Sequence, residues 1–455
     1  MNTKKKLILT IILLSYFVTA IDASIVITGV TKIAADLQLS PSLLSWVQNA
    51  YVLAWGGFML LGGRLSDTFG RKPVLNLSLV LFGIGSLLAG IAWSATVMIA
   101  ARFIQGVGSA ILAPTSLALI MDYFEGTERV KAVAWYSSIS GLGLCFGLVF
   151  GGAITSFLSW RDGFLVNLPL IVFMLAISAK VLQRGETKKE PFDIRGTLLS
   201  VIGIFAFVYA INGAGNAWLW LGVALLALAA FIRVESKATV PVMPLRLFGS
   251  SVRWKAYTAR ALFVGAMMGF NFMISEYMQG VYGFTPLEAG LGFLPATVST
   301  FLAAIEVPHL VGRWGNRSVL AVGLAFLLIG FVWFSLLDAG NPYLTGVALP
   351  MVVLGTGNGL TLSPLTNLGI EGVKPKDAGA ASGLVNASHQ IGGAIGLSMM
   401  VTAGAGLSDM VARCTIGMVI ATMFILIAFA VTFSHSFRKT VRGHKICDLF
   451  GFKVS

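Results

Sequence analysis

The chain has 455 residues, of which 56% are hydrophobic and only 11% charged, and its mean hydropathy is +0.86. This apolar fraction exceeds that of ordinary soluble domains and excludes one. The net charge of +13 is compatible with nucleic acid, but in so apolar a chain bases on one side of a membrane account for it, and no nucleic-acid partner is expected.

A bilayer core of about 30 Å needs about 20 apolar residues per helix, and such runs recur from Leu7 to Ser434. Punctuation by Gly, Pro and charge predicts an all-α integral membrane protein with fourteen spans, starting near residues 6, 44, 74, 97, 132, 163, 197, 217, 259, 287, 318, 343, 380 and 411. The opening MNTKKKLILTIILLSYF reads as a retained first span, because the apolar run continues past Asp22 with no small-residue cleavage site. With a cytoplasmic amino terminus, 28 of the 32 Lys and Arg residues fall on inner segments, the longest of which are 180–196 and 233–260. Both termini are then cytoplasmic.

Span 1 carries Asp22, span 4 Arg102 and span 9 Glu276. A charge at mid-bilayer costs on the order of 3 kcal/mol, so each is a functional candidate. Asp22 reads as a proton or cation-recognition site, or as a structural acid near the outer interface. Arg102 holds its proton permanently and would act by tuning a neighbouring acid, unless it only bonds backbone. Glu276 shares a helical face with Phe272 and Gln279. Together with Trp46 and Tyr51 of span 2, Phe272 and Gln279 are candidates for lining a substrate cavity, although aromatics in membrane helices more often face lipid or pack.

Between spans 2 and 3 stands GGRLSDTFGRKP. Gly63 and Gly70 permit a tight turn, Arg71 and Lys72 remain at the inner surface, and Asp67 is the one member that topology does not require. It is either an incidental acid or a latch, pairing with a base such as Arg129 after span 4. In span 5, Gly143, Gly147 and Gly151 recur at intervals of four, followed by Gly152, and line a face that another helix can approach.

An internal repeat is visible. PHLVGRWGNR ends span 10 as GGRLSDTFGRK ends span 2, with Leu310 matching Leu65, Gly315 matching Gly70, and Arg317 matching Lys72, while Gly312 stands in place of Asp67. This divides the chain into a six-span bundle at 1–182, inner linkers with two extra spans at 183–258, a second six-span bundle at 259–434 and a basic cytoplasmic tail at 435–455.

The motifs Gly63-x-Leu65-x-Asp67-x-x-Gly70-Arg71-Lys72, Arg102-x-x-Gln105-Gly106-x-Gly108 and Gly143-x-x-x-Gly147-x-x-x-Gly151-Gly152 resemble, in order, three signatures of the major facilitator superfamily. Fourteen spans, SWVQNAYVLA, WRDGFLVNLP and QGVYGFTPLEAGLGFLP narrow the resemblance to its fourteen-span drug:proton antiporters. Leu148 stands where that family usually has proline, Asp22 lacks the usual Asn and Pro after it, and His389 occupies a position that is often Arg. The resemblance implies a major facilitator fold and export of amphipathic or cationic compounds by alternating access in a bacterial cytoplasmic membrane. Asp22, Arg102 and Glu276 would couple protons; Gly63, Asp67, Gly70, Arg71 and Arg129 would form the gating loop; Gly143, Gly147, Gly151 and Gly152 would form the antiporter helix. Export of one endogenous metabolite, or of one antibiotic such as a tetracycline, is the alternative, with a non-transporting sensor behind it.

The implied partners are a small-molecule substrate, protons and the bilayer, and the implied state is a monomer. Enzymatic chemistry is not expected: there is no H-E-x-x-H or G-x-S-x-G, and GTGNG in span 12 lacks the lysine and strand of a phosphate loop. The three cysteines, Cys145 and Cys414 in apolar runs and Cys447 in the tail, suggest no disulfide or metal site, and no cofactor is called for.

Overall fold

The structure is a computed structural model that describes residues 2–183, 193–211, 216–238, 241, 243, 245–338, 340–373 and 378–434. Ten helical runs among them are long and apolar enough to cross a membrane. Three further long helices, and a glycine turn that splits one run in two, bring the passes to fourteen. No strand occurs among the described residues.

Helix ends follow local chemistry. The first pass, α1 (Thr3–Thr28), starts where Asn2 accepts from the Lys5 amide at 2.9 Å, and a short helix, α2 (Val30–Asp36), follows it. Ser40 caps α3 (Pro41–Phe69), whose proline lies in the first turn, where its missing N–H costs nothing. Gly70 (φ 87°, ψ 153°) then reverses the chain into α4 (Arg71–Gly90). Ser94 caps α5 (Ala95–Tyr123), after which come α6 (Gly126–Phe157), the short α7 (Trp160–Leu165) and α8 (Asn167–Val181).

Two helices, α9 (Ile194–Ile211) and α10 (Ala217–Glu235), form a hairpin. The second half runs through α11 (Ser251–Gly280), the short α12 (Pro286–Gly292) with its Thr285/Glu288 capping box, and α13 (Leu294–Phe334). It ends with α14 (Leu349–Gly369), α15 (Ala378–Gly404) and α16 (Met410–Phe433). Within α13, Gly315 (φ 79°, ψ 158°) breaks the helix into two passes. Its backbone conformation nearly repeats that of Gly70, so the sequence repeat corresponds to a repeated turn.

The face carrying the start of α1 and the end of α16 is termed proximal, and the opposite face distal. Helices α1 and α3–α8 pack into one bundle and α11–α16 into another, while α10 packs on α9 and α9 leans on α3 and α15. Glycine sets the closest approaches. A Cβ at Gly108 would lie 2.7 Å from the Phe82 amide of α4, and one at Gly265 would lie 2.8 Å from the Gly392 carbonyl of α15. In lipid, where apolar burial between helices gains little, such contact is a main source of cohesion.

The two bundles meet through polar contacts in their distal halves. Ser275 donates to the Ile27 carbonyl at 2.7 Å, Gln279 to the Thr28 carbonyl at 3.1 Å, and Thr31 to the Gln279 amide oxygen. Leu287 N–H reaches Ser156 Oγ at 2.9 Å, and Asn49 Nδ2 reaches Ser398 Oγ at 2.8 Å.

Candidate functional site

Five polar side chains from four helices converge in the distal half of the first bundle. Arg102 lies eight residues into α5, roughly 10 Å along its axis at 1.5 Å per residue. It donates to the Asp22 carboxylate of α1, and both residues are fully buried. Gln105, one turn further along α5, bridges the pair: its Oε1 accepts from Arg102 at 2.7 Å and its Nε2 donates to Asp22 Oδ1 at 2.8 Å. The same Nε2 reaches Ser86 Oγ of α4 at 2.8 Å. Asn167, at the start of α8, donates to Asp22 at 3.2 Å and to Ser86 at 3.3 Å.

The guanidinium is held on its other sides as well. Its Nε donates to the Val47 carbonyl of α3 at 3.1 Å, and its carbon stands 4.2 Å from the centroid of the Tyr51 ring, whose hydroxyl meets Ser109 at 3.0 Å. A buried ion pair survives desolvation only when further hydrogen bonds satisfy its remaining atoms, and here Gln105, Asn167 and Val47 supply them. Among the described residues, one Arg102 terminal nitrogen and the Asn167 amide oxygen have no partner.

Among the described residues of the second bundle three charged side chains on α11 are buried: Lys255, which donates to Ser434 Oγ at 3.0 Å, Arg260 and Glu276. Glu276, near the distal end of α11, lies 3.6 Å from Arg413 at the start of α16. Arg260, ten residues into α11 from the proximal side, is 6% exposed. Charge counting alone assigns Arg260 to the inner linker. The helix instead begins at Ser251 and carries Arg260 inside, because neighbouring helices supply acceptors for a base that lipid would not.

The remaining sequence candidates are dispersed. Trp46 packs on Phe205 and Tyr209 of α9, with ring centroids at 6.2 and 5.8 Å, and Phe272 is buried in the second bundle. Gln279 belongs to the distal contact between bundles. Gly147 and Gly151 pack on Ser24 and Ile25 of α1, and Gly152 faces Pro286 of α12. Arg71 binds Asp122 at 3.0 Å and Ser66 at 2.7 Å, and Arg129 donates to the Phe124 and Met121 carbonyls at the end of α5. Lys72 likewise donates to the Ala179 and Leu182 carbonyls at the end of α8. The Asp67 side chain, with Gly63 and Gly143, falls outside the described side chains, and the tail 435–455 falls outside the described residues.

Ser86 was not singled out from the sequence, and Gln105 and Asn167 entered only as members of quoted motifs, with no part at the charge pair. The available signal was that each is a polar residue in or beside a span, the same signal that marked Asp22 and Arg102.

Two helical bundles that enclose a sequestered charge cluster define a multi-spanning membrane carrier. The chain belongs to the Major Facilitator Superfamily, whose family model matches residues 12–397, and it is a transporter and not an enzyme. It is 36% identical over 411 residues to the cephamycin export protein CmcT of Amycolatopsis lactamdurans, covering 87% of this chain and 84% of that one. It is 33% identical to the puromycin resistance protein pur8 of Streptomyces alboniger (88% and 81% covered) and 29% identical to the multidrug transporter protein MdtP of Bacillus subtilis (88% and 75%). Among solved structures, the nucleoside transporter NupG superposes with a TM-score of 0.66 at 15% identity, over 98% of this chain and 100% of that one, a likeness of fold.

Proposed function

We propose that this protein is a proton-coupled antiporter that exports amphipathic organic compounds, drugs and antibiotics among them, by alternating access. The observation that carries the reading is the Asp22–Arg102–Gln105 cluster. Protonation of Asp22 would remove the counter-charge of Arg102 but leave it the Val47 carbonyl, the Gln105 amide oxygen and the Tyr51 ring, so the site has contacts for its cation in either charge state. A carrier that exchanges a proton for a substrate needs two such states.

The moving units are residues 1–182 and 259–434, with 183–258 between them, in a single monomer. The membrane is a bacterial cytoplasmic one and the proximal face is cytoplasmic, in line with the 28 bases counted there. The polar contacts between the bundles then describe a carrier closed toward the outside. No nucleotide site is invoked: the proton gradient supplies about 1.4 kcal/mol per pH unit and about 2.3 kcal/mol per charge per 100 mV.

A narrow substrate range is a second reading, favoured because CmcT and pur8, at 36% and 33% identity, are named for single antibiotics, whereas MdtP, named for many, stands at 29%. Proteoliposomes with an internal pH dye test both. Under an imposed gradient, adding cationic, neutral and anionic compounds moves protons in the wild type and not in Asp22→Asn. A response to one compound alone would select the narrow reading, and a response to none would overturn coupled export.

A further inference from the structure

Of the two most deeply buried arginines, one has a carboxylate and the other does not. Arg102 has Asp22. Arg260 is bonded only to neutral acceptors: Nε donates to His389 Nδ1 of α15 at 3.2 Å, and one terminal nitrogen donates to the Leu362 carbonyl at 2.9 Å and Thr366 Oγ1 at 2.8 Å, both on α14. Among the described residues no acid pairs with it. A buried guanidinium without a counter-charge is costly, and three helices are arranged to hold it there.

The arrangement also orients a second donor. Arg260 Nε can only donate, so His389 Nδ1 must carry its lone pair and the ring proton of the neutral imidazole sits on Nε2. That N–H has no protein partner among the described residues, and neither has the second terminal nitrogen of Arg260. His389 and Thr366 are partly exposed and Leu362 is 42% exposed, so the donors lie beneath an accessible rim in the proximal half. Two N–H groups beside an uncompensated positive charge form a site for a carboxylate.

We propose that Arg260 and His389 bind the carboxylate of an amphipathic organic acid, making anionic or zwitterionic compounds a substrate class of this carrier. The assignment rests on the export reading for its biological meaning, but binding can be measured without transport. It also differs from the cationic class that the sequence resemblance implies: Asp22 is engaged by Arg102, whereas Arg260 remains available for charge pairing.

The test is isothermal titration calorimetry of the purified full chain with 1-naphthaleneacetate and with 1-naphthaleneacetamide, which keeps the shape and lacks the charge. The acid is expected to bind at least tenfold more tightly than the amide. Arg260→Gln is expected to abolish that preference by weakening the acid far more than the amide, and Arg260→Lys to retain part of it. Equal affinities in the wild type, absence of acid binding, or a preference that survives in Arg260→Gln each overturn the proposal. The wild-type comparison can do so alone, whether or not the variants fold. Acid-selective binding without coupled export would sink the export reading and leave the site standing.

Discussion

At the residue scale, the cluster around Asp22 couples stability to charge. Replacing Asp22 by Asn leaves Arg102 buried without its counter-charge, and removing one partner of such a pair typically costs about 3–5 kcal/mol. Thermal unfolding in detergent is expected to show that loss, and Asp22→Asn combined with Arg102→Gln is expected to recover part of it; a double variant as unstable as the sum of the two single variants would argue against a direct pair. A milder pH effect belongs to Asp36, between the first two passes, which accepts from Arg161 and from Trp160 Nε1 at 3.1 Å. Its hydrogen bond to Arg161 holds its pKa below the ordinary 3.8. The stabilisation is therefore full above about pH 4–5 and is lost as the pH falls through the lowered folded value. The margin of wild type over Asp36→Asn is expected to be present at pH 7 and to shrink toward pH 3.

The sequence marked Asp22 and Arg102 by their cost in a membrane, but not their meeting across 80 residues of chain. Helices that are apolar on all sides carry little periodic signal, so the rotation that turns Asp22 toward Arg102 rather than toward lipid is invisible until neighbouring helices pack. The parts that Gln105, Ser86 and Asn167 play at the pair were missed for the same reason, since a neutral polar residue in a span costs less than a charge and stands out less.

At the element scale, the passes were legible because bilayer thickness fixes helix length, and the repeat was legible because both turns need glycine. Gly70 and Gly315 occupy a backbone region essentially reserved for glycine, where other residues cost about 1–3 kcal/mol. Position 315 separates strain from collision: a Cβ there would meet nothing within 4 Å. Gly315→Ala is expected to lower stability by that amount through backbone strain alone. Gly222→Ala in α10 is the matched control, because its Cβ also enters open space but on a helical backbone, where alanine gains up to about 1 kcal/mol. The unfolding midpoint is expected to fall for Gly315→Ala and to rise for Gly222→Ala, and shifts of the same sign would argue against backbone strain at 315. Boundaries were less legible: punctuation by Gly, Pro and charge put the start of span 9 near 259, whereas α11 begins at Ser251 and acceptors on α14 and α15 admit Arg260 into the bundle.

At the scale of the whole molecule, distal closure combines close apolar packing between the bundles with a few hydrogen bonds. Each is worth about 1 kcal/mol net, so removing one shifts a two-state equilibrium by roughly fivefold. In a background with Cys145, Cys414 and Cys447 replaced by Ser, a Thr28→Cys thiol, at a position with 0% exposure, is expected to resist a hydrophilic maleimide added from the distal side. Adding Gln279→Leu, which removes the bond to the Thr28 carbonyl, is expected to raise its labelling rate severalfold. An unchanged rate would place closure elsewhere. None of these contacts could be read from composition, because they join positions between 131 and 349 residues apart and depend on which faces the two bundles present.

The contrast between Arg102 and Arg260 reaches beyond recognition to voltage. A bundle whose buried charges cancel, as those of Asp22 and Arg102 do, rocks in an electric field without electrical work. The charge of Arg260 has no such cancellation, and carrying it across the full membrane potential would involve about 2.3 kcal/mol per 100 mV, with any partial displacement scaling down in proportion. On the proposed alternating access, the field would bias the empty carrier toward the conformation that brings Arg260 nearer the negative side, and a bound carboxylate would remove that bias. Cargo of one charge sign would then set both what the protein carries and how strongly the membrane potential acts on its return.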